Sequence, residues 1–350
     1  MKKRHYNIPV FIPELACPFQ CIYCNQQKIS GRLKIPSDEE IVKTINDHLS
    51  TIPEEDSEVE LAFFGGNFTG IDVEDRRRLL GLVQPYLKAG SIGGIRLSTR
   101  PDYIDEDILK MLKDFGVKTV EIGAQSMDDN VLRLSKRGHT SKDTEKAAGM
   151  ILKEGFSLGL QMMIGLPGDT PESAKFTARR IIELGADNTR IYPTLVIRDT
   201  VLERMFRDGR FKPLSLEEAV GWSKELLLIF EKAGVKVIKL GLHPSEGLLS
   251  GDELIAGPFH QSFRELVLTE IWSDILRPLI DGKEQNTKLR NENEPEYSEK
   301  IEIHVPVNQF NYAVGYRGKN KKMLSGRFSN VKFVRDKVLS GRDFKIVNLR

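Results

Sequence analysis

Residues 8–24 read IPVFIPELACPFQCIYC. The first half, IPVFIPEL (8–15), is an apolar run bounded by prolines, which is the composition of a short buried strand. The second half, CPFQCIYC, holds all three cysteines of the 350-residue chain: Cys17, Cys21 and Cys24. A strand therefore runs straight into a loop that carries the whole thiol inventory. What fold presents such a loop, and what three thiols hold there, are the questions for the rest of the sequence.

The same arrangement, an apolar run ending in an unusual loop, recurs along the chain. VELAFFGG (59–66) ends in two glycines, and GIRLSTR (94–100), TVEIGAQS (119–126), LGLQMMIGLPG (158–168), TRIYPTLV (189–196) and VKVIKLGL (235–242) are further strand candidates. Helical spacing occupies the intervals: 37–49, which opens on the capping box Ser37-x-x-Glu40, then 73–87, 105–115, 128–135, 142–154, 171–185 and 217–233. Strand followed by amphipathic helix, repeated, is the signature of βα units around a parallel sheet. The sequence predicts an α/β fold, a full or partial (β/α) barrel. Function in such barrels gathers at the C-terminal ends of the strands. CPFQCIYC, GGNFT, STRPD, AQS and GLPG then all belong to one face.

A net charge of +2 excludes a polycation. No run of eighteen apolar residues marks a membrane helix. The N-terminal apolar stretch is broken by Pro9 and Pro13 and lacks the form of a signal peptide. The expectation is a cytoplasmic protein whose thiols stay reduced, and clustered reduced thiols point to metal. Residues 281–300, DGKEQNTKLRNENEPEYSEK, are polar and read as a linker. They divide a barrel with its extension (1–280) from a small basic module (301–350).

Three thiols suit some metals better than others. A closed zinc site wants four ligands, so zinc here requires His5 or a distant histidine as the fourth. Ordinary buried cysteines would not cluster in a proline-flanked loop. A [4Fe–4S] cube has four irons, and three thiolates leave one of them open to a substrate or cofactor. The tight Cys-x3-Cys-x2-Cys loop suits three corners of one cube.

That spacing, with Tyr23 directly before Cys24, resembles the radical S-adenosylmethionine (SAM) enzymes. The resemblance implies a [4Fe–4S] cluster on Cys17, Cys21 and Cys24. It also implies SAM chelated at the open iron and cleaved, by an electron from an external donor, to methionine and a 5′-deoxyadenosyl radical. In the same superfamily a glycine-rich turn after the second strand helps to bind the SAM amino group. Gly65 and Gly66 stand there, with Asn67 where glutamate is frequent. Ser98, Thr99, Arg100 and Gln125 are then candidates for the ribose hydroxyls and methionyl carboxylate. KRGHT (136–140) adds Arg137 and His139 after the fourth strand, with Arg137 a further candidate for binding SAM, and the backbone at Ile164 or Gly165 would lie beside the adenine.

FFGGNFTG, STRPDY, EIGAQSMDDNVL, KRGHT, MIGLPGD and YPTLVIRDTVLERMFRDGRF (192–211) together resemble the radical-SAM catalytic subunit of Elongator and its prokaryotic relatives. This likeness implies a tRNA-modifying enzyme acting at carbon 5 of the wobble uridine. The family has a longer gap between its first two cysteines and usually glutamate at the position of Ser98. The residues after 270 leave no room for the acetyltransferase domain, so any acyl donor is expected on a separate partner. Two alternatives stand beside this reading. One is a radical SAM enzyme on a small molecule, like the oxygen-independent coproporphyrinogen oxidases, which share the cysteine spacing. The other is a non-catalytic iron–sulfur RNA-binding protein.

The tail, IEIHVPVNQFNYAVGYRGKNKKMLSGRFSNVKFV (301–334), reads as strand, helix, Gly315-Tyr316-Arg317-Gly318, helix, strand. It resembles a KH module, whose GXXG loop clamps an RNA backbone. Gly315, Arg317, Gly318, Lys319, Lys321 and Lys322 are the candidate RNA-binding residues. Basic residues outnumber acidic ones through the rest of this segment, which supplies salt-sensitive attraction for phosphates.

Overall fold

The computed structural model describes residues 4–12, 21–25, 34–53, 55–242, 246–281 and 300–349. Cys17 lies outside them, as does nearly all of the polar stretch 281–300. The chain divides into two compact units. The first runs to Trp222 and resumes over Leu226–Phe259, and the second takes Ser223–Glu225 and the chain from His260 onward.

The first unit is built on strands β1 (Arg4–Ile12), β2 (Ser57–Gly65), β3 (Gly94–Thr99), β4 (Val117–Gln125), β5 (Ser157–Ile164), β6 (Asn188–Pro193), β7 (Val196–Ile197), β8 (Lys236–Leu240) and β9 (Leu254–Ala256). Seven of these form one parallel sheet in the order β1-β2-β3-β4-β5-β6-β8, while β7 and β9 pair separately and antiparallel. β1 and β8 are its two edges, so the barrel is partial, a curled half-barrel. Its helices are α1 (Asp38–Leu49), α2 (Val73–Lys88), α3 (Glu106–Asp114), α4 (Asp129–Leu134), α5 (Ser141–Lys153), α6 (Pro171–Glu183), α7 (Val201–Arg207), α8 (Leu216–Lys232) and α9 (Glu246–Ser250). The capping box read from Ser37 and Glu40 is present at the start of α1, and the same device opens α5, α6 and α8. Each such cap stabilises its helix by ~1 kcal/mol.

Strand periodicity separates two environments. On β1, Ile8, Val10 and Ile12 are buried, whereas Asn7 is exposed and Pro9 and Phe11 are half-buried. On β2, Leu61 and Phe63 are buried in the same way. Each fully buried aliphatic or aromatic side chain contributes ~1.5–3 kcal/mol. The other strand parity carries charge. Arg96 donates to Glu60 (3.0 Å) and Glu121 (2.6 Å), Arg190 donates to both Glu121 oxygens (2.6 and 3.0 Å), and His5 meets Glu60 at 2.8 Å. Burial works against the Arg190 cation, but the Glu121 carboxylate holds its pKa above the usual range.

The second unit comprises α10 (Phe263–Leu276), α11 (Pro278–Asp281), β10 (Lys300–Pro306), α12 (Phe310–Val314), α13 (Lys319–Leu324), β11 (Asn330–Asp336) and β12 (Lys345–Leu349). β10 is central, parallel to β11 and antiparallel to β12. Trp272, Leu276, Ile301, Ile303, Val305 and Phe333 share its core. Two features depart from the sequence reading. The compact-unit division falls at 259/260, so α10 groups with the tail and not with the barrel. KIVNL forms a third strand that the reading had left unassigned.

Candidate active site

The cysteine loop follows β1. Of it, residues 21–25 are described, with Cys21 buried and Cys24 half-buried. Backbone hydrogen bonds clamp it from two sides. Ile22 N–H donates to Ser135 O (3.2 Å) after α4, and Leu202 N–H donates to Ile22 O (2.8 Å) from α7. The Ile22 side chain packs with Val196, Leu202 and Tyr23. A tight turn, Cys24 N–H to Cys21 O (3.0 Å), puts Cys21 and Cys24 on one turn of backbone. Arg137 Nη1 donates to Cys21 Sγ at 3.5 Å.

The glycine turn after β2 is built against the end of β1. Gly66 N–H donates to Ile12 O (3.1 Å) at the end of β1. Gly65 has φ +111°, and a Cβ there would lie 2.1 Å from Ile12 O. Only glycine allows that approach. Asn67 is buried, and its Oδ1 accepts from Thr99 Oγ1 (2.7 Å) and Arg100 N–H (3.2 Å). The Thr69 hydroxyl closes the same cluster against Thr99. Asn67 therefore ties the β2 turn to the end of β3. Ser98 is half-buried one residue earlier on β3. Arg100 is only 1% exposed, and its fork closes on Asp102 through Nε and Nη2, both at 2.9 Å. The same Nη2 donates to Arg137 O (2.9 Å). The fork expected on a ligand carboxylate is thus engaged with Asp102.

At the end of β4 the pairing with β5 shifts register between Gly123 and Gln125, and Gln125 adopts φ +64°. Gln161 Nε2, on β5, donates to Gln125 Oε1 at 3.1 Å. Gly123 lets other side chains cross the strand: a Cβ there would be 2.8 Å from both Arg137 Nη2 and Gln125 Nε2. Its carbonyl accepts from Arg137 Nη2 at 2.8 Å. Gly123 and Gln161 escaped the sequence reading. A glycine inside a strand was the available signal, since it marks a bulge or a close approach. Arg137 Nε donates to His139 Nε2 at 3.1 Å, so the imidazole is neutral and its Nδ1–H donates to Thr140 O (3.2 Å). Burial, reinforced by the Arg137 charge, pushes the His139 pKa down to about 4. After β5, Asp169 accepts from Gly165 N–H (2.9 Å), Thr170 N–H (3.1 Å) and the Ser173 hydroxyl (2.5 Å), which closes the GLPGD turn. Burial pushes the Asp169 pKa up to about 6.

The second unit presents the GYRG turn between α12 and α13. Gly315 (φ +87°), Arg317 (φ +51°) and Gly318 (φ +73°) all take left-handed conformations. Tyr316 N–H donates to Thr269 Oγ1 (2.9 Å), and the buried Asn320 donates to Thr269 O (3.1 Å). Lys319, exposed like Arg317, Lys321 and Lys322, pairs with Glu270.

The residues around Cys21 fit an iron–sulfur group. The Tyr23 hydroxyl is buried beside Cys21. Burial, then the neighbouring Cys21 charge, raises its pKa well above the usual phenol value, so it remains an O–H donor. A thiol beside a cation, a buried phenol O–H next to it and a glycine turn without Cβ atoms suit a sulfur-rich, polar-edged ligand.

A half-barrel of parallel strands, with a cysteine loop and a glycine turn in the segments that follow its first two strands, is the frame of a class of enzymes that bind a metal cluster and a second cofactor. The chain belongs to the radical SAM superfamily. The model of that family matches residues 12–181, and the model of the Radical_SAM C-terminal domain matches residues 186–273. It is homologous to tRNA uridine(34) acetyltransferases. The protein of that name from Dehalococcoides mccartyi (strain CBDB1) is 27% identical over 239 residues, covering 59% of this chain and 52% of the relative. That from Methanocaldococcus infernus is 37% identical over 127 residues, covering 35% of this chain and 24% of the relative. The chain thus aligns with about half the length of the first relative and about a quarter of the second. Among solved structures, the archaeal Methanocaldococcus infernus Elp3 with an N-terminal deletion superposes with a TM-score of 0.62 at 24% identity, covering 79% of this chain and 65% of that one. That superposition supports the fold. No helix among the described residues is long and apolar enough to cross a membrane.

Proposed function

We propose that this radical SAM enzyme modifies tRNA, with a [4Fe–4S] cluster on Cys17, Cys21 and Cys24. When bound, the cluster and SAM together supply a reductive C–S cleavage that yields a 5′-deoxyadenosyl radical and methionine. The observation that carries the reading is the tight Cys21–Cys24 turn with the Arg137 guanidinium on Cys21 Sγ.

The chain's own residues hold and orient. Gly65 and Gly66 offer backbone without side chains to the amino end of SAM. Asn67 fixes that turn to Thr99 and Arg100. Ser98, Thr99 and Gln125 lie at the strand ends where ribose hydroxyls and the methionyl carboxylate would lie. Arg100, held on Asp102, shapes the rim, and Arg137 brings positive charge to it. Burial of Cys21 and Tyr23 OH keeps water from the cluster side. The electron comes from an external reductant, and any acyl donor from a separate partner. RNA docks on the second unit through Gly315, Arg317, Gly318, Lys321 and Lys322, with Lys319 braced on Glu270. A cytoplasmic location accords with a tRNA substrate.

The test is anaerobic reconstitution with iron and sulfide, followed by dithionite, SAM and bulk tRNA. The expected products are 5′-deoxyadenosine and a mass change in a tRNA nucleoside, both lost in Cys21→Ala. Zinc retained in place of iron, or no 5′-deoxyadenosine from an iron-loaded protein, overturns the proposal.

A further inference from the structure

Arg137 lies 116 positions from Cys21 in sequence, yet it is 7% exposed and donates to that sulfur. Each of its three guanidinium nitrogens has a different anchor: His139 Nε2, Cys21 Sγ and Gly123 O. Three anchors around a planar group fix both its position and its tilt. Room for it exists because Gly123 has no Cβ. Its backbone is held as well, since Arg137 O accepts from Arg100 Nη2. The His139 anchor works only with a lone pair on Nε2, and Thr140 O selects that tautomer by accepting from Nδ1–H.

We infer that His139 is a positioning residue that holds the Arg137 cation and N–H against the Cys21 sulfur, and thereby raises the reduction potential of the bound cluster. This rests on the cluster reading above. A cation and an N–H···S hydrogen bond at a ligating sulfur favour the more negative, reduced state of a cluster. The consequence is an easier first electron, independent of how SAM itself is gripped.

The experiment is an EPR-monitored redox titration of the anaerobically reconstituted full chain without SAM, with iron counted in each sample. Arg137→Gln is expected to move the midpoint to lower potential. His139→Asn places its amide near the Nδ1 position and cannot reach Arg137 Nε, so the midpoint should move the same way. His139→Gln carries an acceptor out to the Nε2 position and should keep the wild-type midpoint. Equal midpoints in all four proteins overturn it, as does equal damage from Asn and Gln, because a merely structural imidazole would not distinguish them. A wild-type chain that takes up no iron fails the cluster reading itself, whereas a wild-type cluster with insensitive variants fails only this inference.

Discussion

His139 is buried and Asp169 half-buried beyond the ends of neighbouring strands, β4 and β5, and desolvation favours the neutral form of each. The two pH dependences have opposite sign. For His139 the pKa falls from 6.5 to about 4, so its contribution is complete above pH 6.5 and is lost as the pH falls through 4. For Asp169 it rises from 3.8 to about 6, so its contribution is complete below pH 3.8 and is lost as the pH rises through 6. At ~1.4 kcal/mol per pKa unit, each is worth ~3 kcal/mol. Between pH 4 and 6 they offset one another. His139→Gln should therefore unmask Asp169, with stability falling as the pH rises from 4 to 6. Asp169→Asn should unmask His139, with stability falling as the pH drops from 6.5 to 4. Urea unfolding of the iron-free chain across this range checks both, and parallel curves for the wild type and both variants would remove the assignment.

At the level of elements, β4 joins the core to the site. Val120, Ile122 and Ala124 are buried with the apolar core, while Glu121 takes Arg96 from β3 and Arg190 from β6. Glu121→Gln would leave the half-buried Arg190 guanidinium facing a neutral amide and the buried Arg96 with Glu60 alone. The expected loss is ~3–5 kcal/mol of unfolding free energy, because a broken buried pair strands a charge. Asp47→Asn breaks the exposed Lys43–Asp47 pair and should cost less than ~0.5 kcal/mol. Similar denaturation midpoints for the two variants would show that the interior pairs are not coupled to folding. The alternation that puts Ile8 and Val10 in the core is local, and so the strands and their order of loops were legible in the sequence. The register shift at Gly123 and Gln125 was not, because it depends on how β4 meets β5. Nor was the partner of Arg100: the nearby Asp102 claims the fork that a distant ligand would need. Arg137 at Cys21 is a contact between loops far apart in sequence, which no local pattern encodes.

For the whole molecule, the question is what the small second unit adds to a barrel enzyme. The strand–helix–GYRG–helix–strand order of the tail was legible because its glycines sit where left-handed backbone is required. The third strand, β12, was not, since Lys345–Leu349 alternates only weakly between exposed and half-buried positions. The bracing of the turn by α10 was equally hidden, because Thr269 and Glu270 lie in a stretch that reads as part of the barrel. That bracing sorts the lysines. Lys319, Lys321 and Lys322 are all exposed on α13, and Lys319 is committed to Glu270. If Lys321 and Lys322 meet phosphates, replacing both with alanine removes two counterion-releasing contacts. The log–log salt slope of tRNA binding should then become shallower by ~1.4–1.8. Lys319→Ala should change the slope less, since its charge is already neutralised within the fold. Fluorescence anisotropy of labelled tRNA over a sodium chloride series measures both. A slope that stays at the wild-type value in Lys321→Ala/Lys322→Ala, with circular dichroism unchanged, would mean that RNA enters by some other surface.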